Sequence, residues 1–106
     1  NKRYGARDWK DVLVQTCNIL AQMNLNKFYD FLDDPNLKGR KISYFSKEHV
    51  ADRNAKLKDI DIYVWTNLSA NSIVILIRKI LKKFGLKTDD YHIYLRADYT
   101  PLHQKD

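Results

Sequence analysis

Between Ile60 and Gly85 the hydrophobic pattern changes period without an intervening spacer. Ile60, Ile62 and Val64 alternate with Asp61, Tyr63 and Trp65, and the segment is rich in β-branched and aromatic residues, so a strand is expected over 60–66. From Ile73 the apolar positions recur at three and four, through Leu76, Ile77, Ile80, Leu81 and Phe84, which predicts a helix over 69–84. Ser69 or Asn67 can cap its start, and Gly85 supplies its stop. A chain that passes directly from one period to the other must bury a helix stripe against a sheet, so a mixed fold is expected.

The flanking segments extend this reading. Residues 8–23 place Trp9, Val12, Leu13, Cys17, Leu20 and Met23 on one helical face, with Asp8 as N-cap. A second short helix is expected over 26–33, anchored by Phe28, Phe31 and Leu32, and Asp33-Asp34-Pro35-Asn36 stops it because the residue before proline disfavours the α region. Gly39 marks a turn. Residues 42–45 read as a short strand, Ser46 as the cap of one or two helical turns through Val50, and 52–59 as polar and irregular. A further strand is expected over 91–97, where Tyr91 to Ala97 alternate again, followed by a tail opened by Pro101. The expected order is α, α, β, short α, β, α, β: an α+β fold with a small, mainly antiparallel three-stranded sheet packed against several helices.

A length of 106 residues, 44% hydrophobic and 12% aromatic, suits one domain with a real core, and three glycines and two prolines leave little room for a linker. The whole span 1–106 therefore reads as a single domain, and its start at Asn1 rather than Met suggests a piece of a longer protein. No apolar run approaches the length of a membrane span and no signal peptide opens the chain, so no membrane partner and a cytoplasmic, nucleoid-associated location are expected. Cys17, the single cysteine, reads as a buried free thiol.

Catalysis finds little support. His49, His92 and His103 lie apart, no His/Cys cluster has metal-ligand spacing, and Asp33-Asp34 and Asp89-Asp90 sit at helix ends or turns where aspartate serves the backbone. No phosphate-cradling glycine pattern occurs, and no cofactor or metal is expected. The basic residues say more. The net charge is +6, and Arg78, Lys79, Lys82, Lys83 and Lys87 fall in a stretch without an acid. The first four span one polar sector of the helix, continued by Asn71 and Ser72, with Ile75 as an apolar intruder. Lysines near a helix C-terminus also complement its dipole, which is the plainer account. Lys38-Gly39-Arg40-Lys41 forms a second basic run suited to phosphates. At the strand-to-helix junction, Thr66-Asn67-Leu68-Ser69-Ala70-Asn71, free amides favour a phosphate and an asparagine can pair with adenine in the major groove, although Asn67 and Ser69 also suit simple capping.

With Gly39-Arg40-Lys41 followed by Tyr44-Phe45, a strand ending at Val64 before Thr66-Asn67, and a helix from there to Gly85, the chain resembles the C-terminal DNA-binding domain of the SeqA family. That family recognises hemimethylated GATC sites and restrains replication initiation. The resemblance implies that the loop opened by Thr66-Asn67 enters the major groove, with Arg40 as a phosphate or groove contact and Lys41 in the same loop. Ser69 stands where the family has a second asparagine, and Asn71, Ser72, Ile73 and Val74 replace basic residues at the start of the recognition helix.

The expected function is a double-stranded DNA-recognition module without enzymatic activity. Arg40, Lys41, Arg78 and Lys82 would hold phosphates, while Thr66, Asn67 and Ser69 approach base edges, the Thr66 methyl or Leu68 packs against a base methyl, and Asn71 completes the DNA-binding junction 66–71, with adenine-methylated GATC-like sites as the target. Replication control or delivery of a restriction-type effector would use such a domain. The alternative is a protein–protein interaction module within a larger assembly, with Ile75, Trp65 and tyrosines at its surface. Tethered domains, a protein partner and the oligomeric state lie beyond these residues.

Overall fold

A computed structural model describes residues 8–39 and 42–86. Helix α1 (Trp9–Met23) begins where the Asp8 carboxylate accepts from the Asp11 amide at 2.8 Å. It buries Val12, Leu13, Thr16, Cys17, Leu20 and Ala21. Thr16 meets the requirement for a partner in an apolar core by donating its hydroxyl to the Val12 carbonyl at 2.8 Å. Cys17 is fully buried, and desolvation pushes its thiol far above the ordinary range, so it is a core group rather than a nucleophile. Met23, expected on the buried face, is 57% exposed in the last turn of the helix.

Asn24 ends α1 and caps α2 (Leu25–Tyr29), accepting from the Lys27 amide at 3.1 Å. The helix expected over 26–33 is α-helical only to Tyr29 and then tightens into a 3₁₀ turn, Asp30–Asp33. That tightening packs Phe28 and Phe31 together, with ring centroids 5.0 Å apart, and sets both against Phe45 and Phe84. Asp34 leaves the helical region ahead of Pro35, and its carboxylate accepts from Asn36 N at 2.9 Å to start a second 3₁₀ turn, Pro35–Leu37.

Three strands form one antiparallel sheet in the order β1-β3-β2: β1 (Phe45–Ser46), β2 (Asn54–Lys56) and β3 (Tyr63–Trp65). The sheet is central β3 with a neighbour on each side, Phe45 and Ala55 both lying opposite Val64. The molecule is thus the expected α+β fold with a three-stranded antiparallel sheet, but its strands differ from those expected. The strand foreseen at 42–45 pairs only at Phe45–Ser46, with Ser43 bridged to Lys38 instead. The helical turn foreseen after Ser46 is absent: the Ser46 hydroxyl donates to Glu48 O, and buried Asn54 holds the loop by donating to Glu48 O at 2.8 Å and accepting from Val50 N at 3.0 Å. The segment 52–59, read as irregular, supplies β2. The strand expected over 91–97 lies outside the described residues.

Helix α3 (Ala70–Lys83) closes the core with Ile73, Leu76, Ile77, Ile80 and Leu81, packing against α1. Ser69 caps it, and Gly85 at φ 77° ends it. There Leu86 N donates to Leu81 O and Gly85 N to Lys82 O, both at 2.9 Å, the paired bonds of a Schellman stop. Among the described residues no helix is long and apolar enough to cross a membrane.

Candidate nucleic-acid interface

The junction between β3 and α3 is held by one carbonyl. Thr66 N, Thr66 Oγ1 and Asn67 N donate to Arg53 O at 2.9, 3.1 and 3.1 Å, so the turn before β2 fixes the exit from β3. Thr66 is 6% exposed, with its hydroxyl proton committed to that carbonyl. It positions the loop rather than presenting itself to a groove. Leu68 N closes a tight turn onto Thr66 O at 2.8 Å, and the Leu68 side chain packs against the core. Ser69 Oγ accepts from Ser72 N at 3.2 Å and donates to Ser72 Oγ at 3.0 Å, the capping role that its chemistry allowed. Asn67 and Asn71 remain: both are exposed, and neither side-chain amide has a hydrogen-bond partner among the described residues.

Along α3, Asn71, Ile75, Arg78, Lys79 and Lys82 are all exposed. Their separations of three and four residues stack them on one face, which carries no acid. The basic residues are not equivalent. Lys79 Nζ reaches Asn36 O at 3.3 Å, and Lys83 Nζ pairs with Asp34 Oδ2 at 2.8 Å. Lys83, hydrogen-bonded to Asp34, holds that carboxyl below the usual carboxylate range, helped by the Asn36 amide. These contacts moor the C-terminal half of α3 to the Pro35–Leu37 turn. Arg78 and Lys82 make no hydrogen bond or ion pair among the described residues, so both are left to engage a partner. Asn36, Lys79, Lys82 and Lys83 line an open depression of about 370 Å³.

Arg40 and Lys41 lie outside the described residues. Their described neighbours are joined to each other, Gly39 N donating to Ile42 O at 2.6 Å. A Cβ added at Gly39 would stand 3.4 Å from Tyr44 Oη. Tyr44 in turn lines a hollow of about 170 Å³ with Ser72, Ile75, Leu76 and Lys79, so the segment after Ile42 adjoins the outer face of α3.

Sequence reasoning missed Arg53, and it noted Tyr44 only as part of the resemblance, without a place at the α3 face. Arg53 is exposed and its backbone abuts the Thr66-Asn67 turn, but it lies in a segment without periodicity, so nothing in the sequence pointed to it. Ile75, singled out as an apolar residue in a polar sector, is 59% exposed and lines the hollow beside Tyr44. His49 stacks on Tyr63 at 5.3 Å, His92 and His103 lie outside the described residues, and no three metal-ligating side chains converge among those described. Compared with protein-family models, curated proteins and solved structures, the chain matches none.

Proposed function

We propose that the domain is a double-stranded DNA-recognition module that docks through the outer face of α3 and the junction ahead of it. The observation that carries this reading is an acid-free helix face with exposed Arg78 and Lys82, entered through two exposed asparagines whose amides have no partner among the described residues. Lysine and arginine on one face give affinity for phosphates, and an asparagine amide offers the donor–acceptor pair that matches adenine N7 and N6. Asn67 and Asn71 then read bases, with Thr66, Leu68 and Ser69 holding the turn that presents them. Arg78 and Lys82 grip phosphates, joined by Arg40 and Lys41 of the second basic run. The SeqA-like motif at Thr66-Asn67 makes an adenine-methylated GATC site the first target to try, in replication control or in guiding a restriction-type effector. A nucleoid location follows from that role, and no catalytic step is assigned to the domain.

Fluorescence-anisotropy titration against duplexes unmethylated, hemimethylated or fully methylated at GATC, at two salt concentrations, tests the reading. Binding that weakens with salt and loses its methylation dependence in Asn67→Ala supports it. Salt-sensitive binding blind to methylation leaves a DNA module of another specificity. Absence of binding at low salt favours a protein-interaction module instead, a reading supported by the 59% exposure of Ile75 beside Tyr44.

A further inference from the structure

We propose that Ile75 is a specificity residue that contacts a base methyl group in the major groove, an inference that rests on the DNA-binding reading. The large apolar side chains exposed among the described residues are Met23, Leu25, Val50 and Ile75, and Ile75 alone of these sits on the α3 face. A single exposed isoleucine is ordinary on a protein surface, so its neighbours decide what it is for. Helical spacing puts Asn71 and Ser72 one turn before it and Arg78 and Lys79 one turn after. Ile75 is thus an apolar centre between a base-reading amide and the phosphate-gripping Arg78, while Lys79 stays tied to Asn36 O.

An α-helix with its side chains is about 10–12 Å across and matches a major groove about 12 Å wide, which lets the outermost residue of the inserted face reach the groove floor. The floor is largely polar, and its most prominent apolar groups are methyls: that on C5 of thymine and, where adenine is modified, the N6-methyl. Those are the groups against which an isoleucine there gains most by packing. The other apolar candidates near the junction are engaged, Thr66 being 6% exposed and Leu68 packed on the core. The rise from Asn71 to Ile75 is about 6 Å, less than two base-pair steps of roughly 3.4 Å, so both residues address adjacent pairs. An asparagine on adenine and an isoleucine on a nearby methyl form one composite reading head.

The test takes the tightest duplex recovered from a pool randomised around a GATC core. Its thymines are replaced one at a time by deoxyuridine, which removes only the C5-methyl, and in a parallel series its adenines are N6-methylated. Wild type and Ile75→Ala are titrated against each, with thermal unfolding to confirm that the variant is folded. One deoxyuridine swap is expected to weaken wild type by about fourfold, the order of magnitude for one buried methyl, and to leave Ile75→Ala indifferent. If the contacted group is the N6-methyl, adenine methylation instead tightens wild type by about that factor and does nothing for the variant. If wild type binds but no methyl change is felt, or if Ile75→Ala shows the same methyl dependence as wild type, the inference is overturned while the DNA reading stands. If no duplex is bound at low salt, the DNA reading fails and the inference falls with it.

Discussion

The carbonyl oxygen of Arg53 receives both donors of Thr66 and the amide of Asn67, so the placement of an exposed asparagine depends on a buried threonine. Thr66→Val keeps the shape and removes the hydroxyl. It should cost about 1 kcal/mol of stability in urea unfolding, because Arg53 O keeps its two amide donors. Asn67→Ala removes an exposed side chain with no partner among the described residues and should leave stability within about 0.5 kcal/mol while reducing DNA affinity. A loss of stability as large as that of Thr66→Val would show instead that Asn67 is a structural residue. Arg53 could not be found by sequence reasoning, since its importance to the junction lies in its backbone.

Helix α3 was legible from sequence almost residue by residue, because its period, serine cap and glycine stop all point to the same boundaries. Strand β2 was not: Asn54–Lys56 has no apolar alternation, and the segment is a strand because β3 pairs with it. Asn54 supplies a second reason, since its buried amide ties down a loop that the sequence suggested was helical. Of the site, the polar sector of α3 and the anomaly at Ile75 were visible in the wheel. The division of labour at 66–71 was not, because the same polar residue types cap, anchor and remain free. At the other end of α3, Gly85 has φ 77° and open space where a Cβ would lie. Gly85→Ala should therefore lower stability by about 1 kcal/mol through backbone conformation alone, measured as a fall in the thermal midpoint. A neutral result would mean that the helix end is not constrained as described.

At the scale of the whole molecule, α3 is fastened to the sheet through Thr66 and to the Pro35–Leu37 turn through Lys83 and Asp34. Asp34 is held below its usual range chiefly by Lys83, so the folded state binds its proton less readily than the unfolded chain. That contribution to stability is present above the ordinary carboxylate pKa and is lost as pH falls through the lowered folded value. Stability should therefore decline on acidification by more in wild type than in Asp34→Asn, and parallel curves for the two proteins would remove this role for the pair. The same fastening leaves the outer face of α3 exposed from Asn71 through Ile75 to Arg78 and Lys82, and the proposed function makes that face, with Asn67 ahead of it, the surface a duplex would meet. The most direct measurement is amide chemical-shift mapping of the domain on addition of a GATC duplex at low salt. The account predicts perturbations concentrated at 66–82 and around Tyr44, fading as salt is raised. Perturbations centred on the exposed Met23 and Leu25 end of α1 and α2, or none at all, would contradict it.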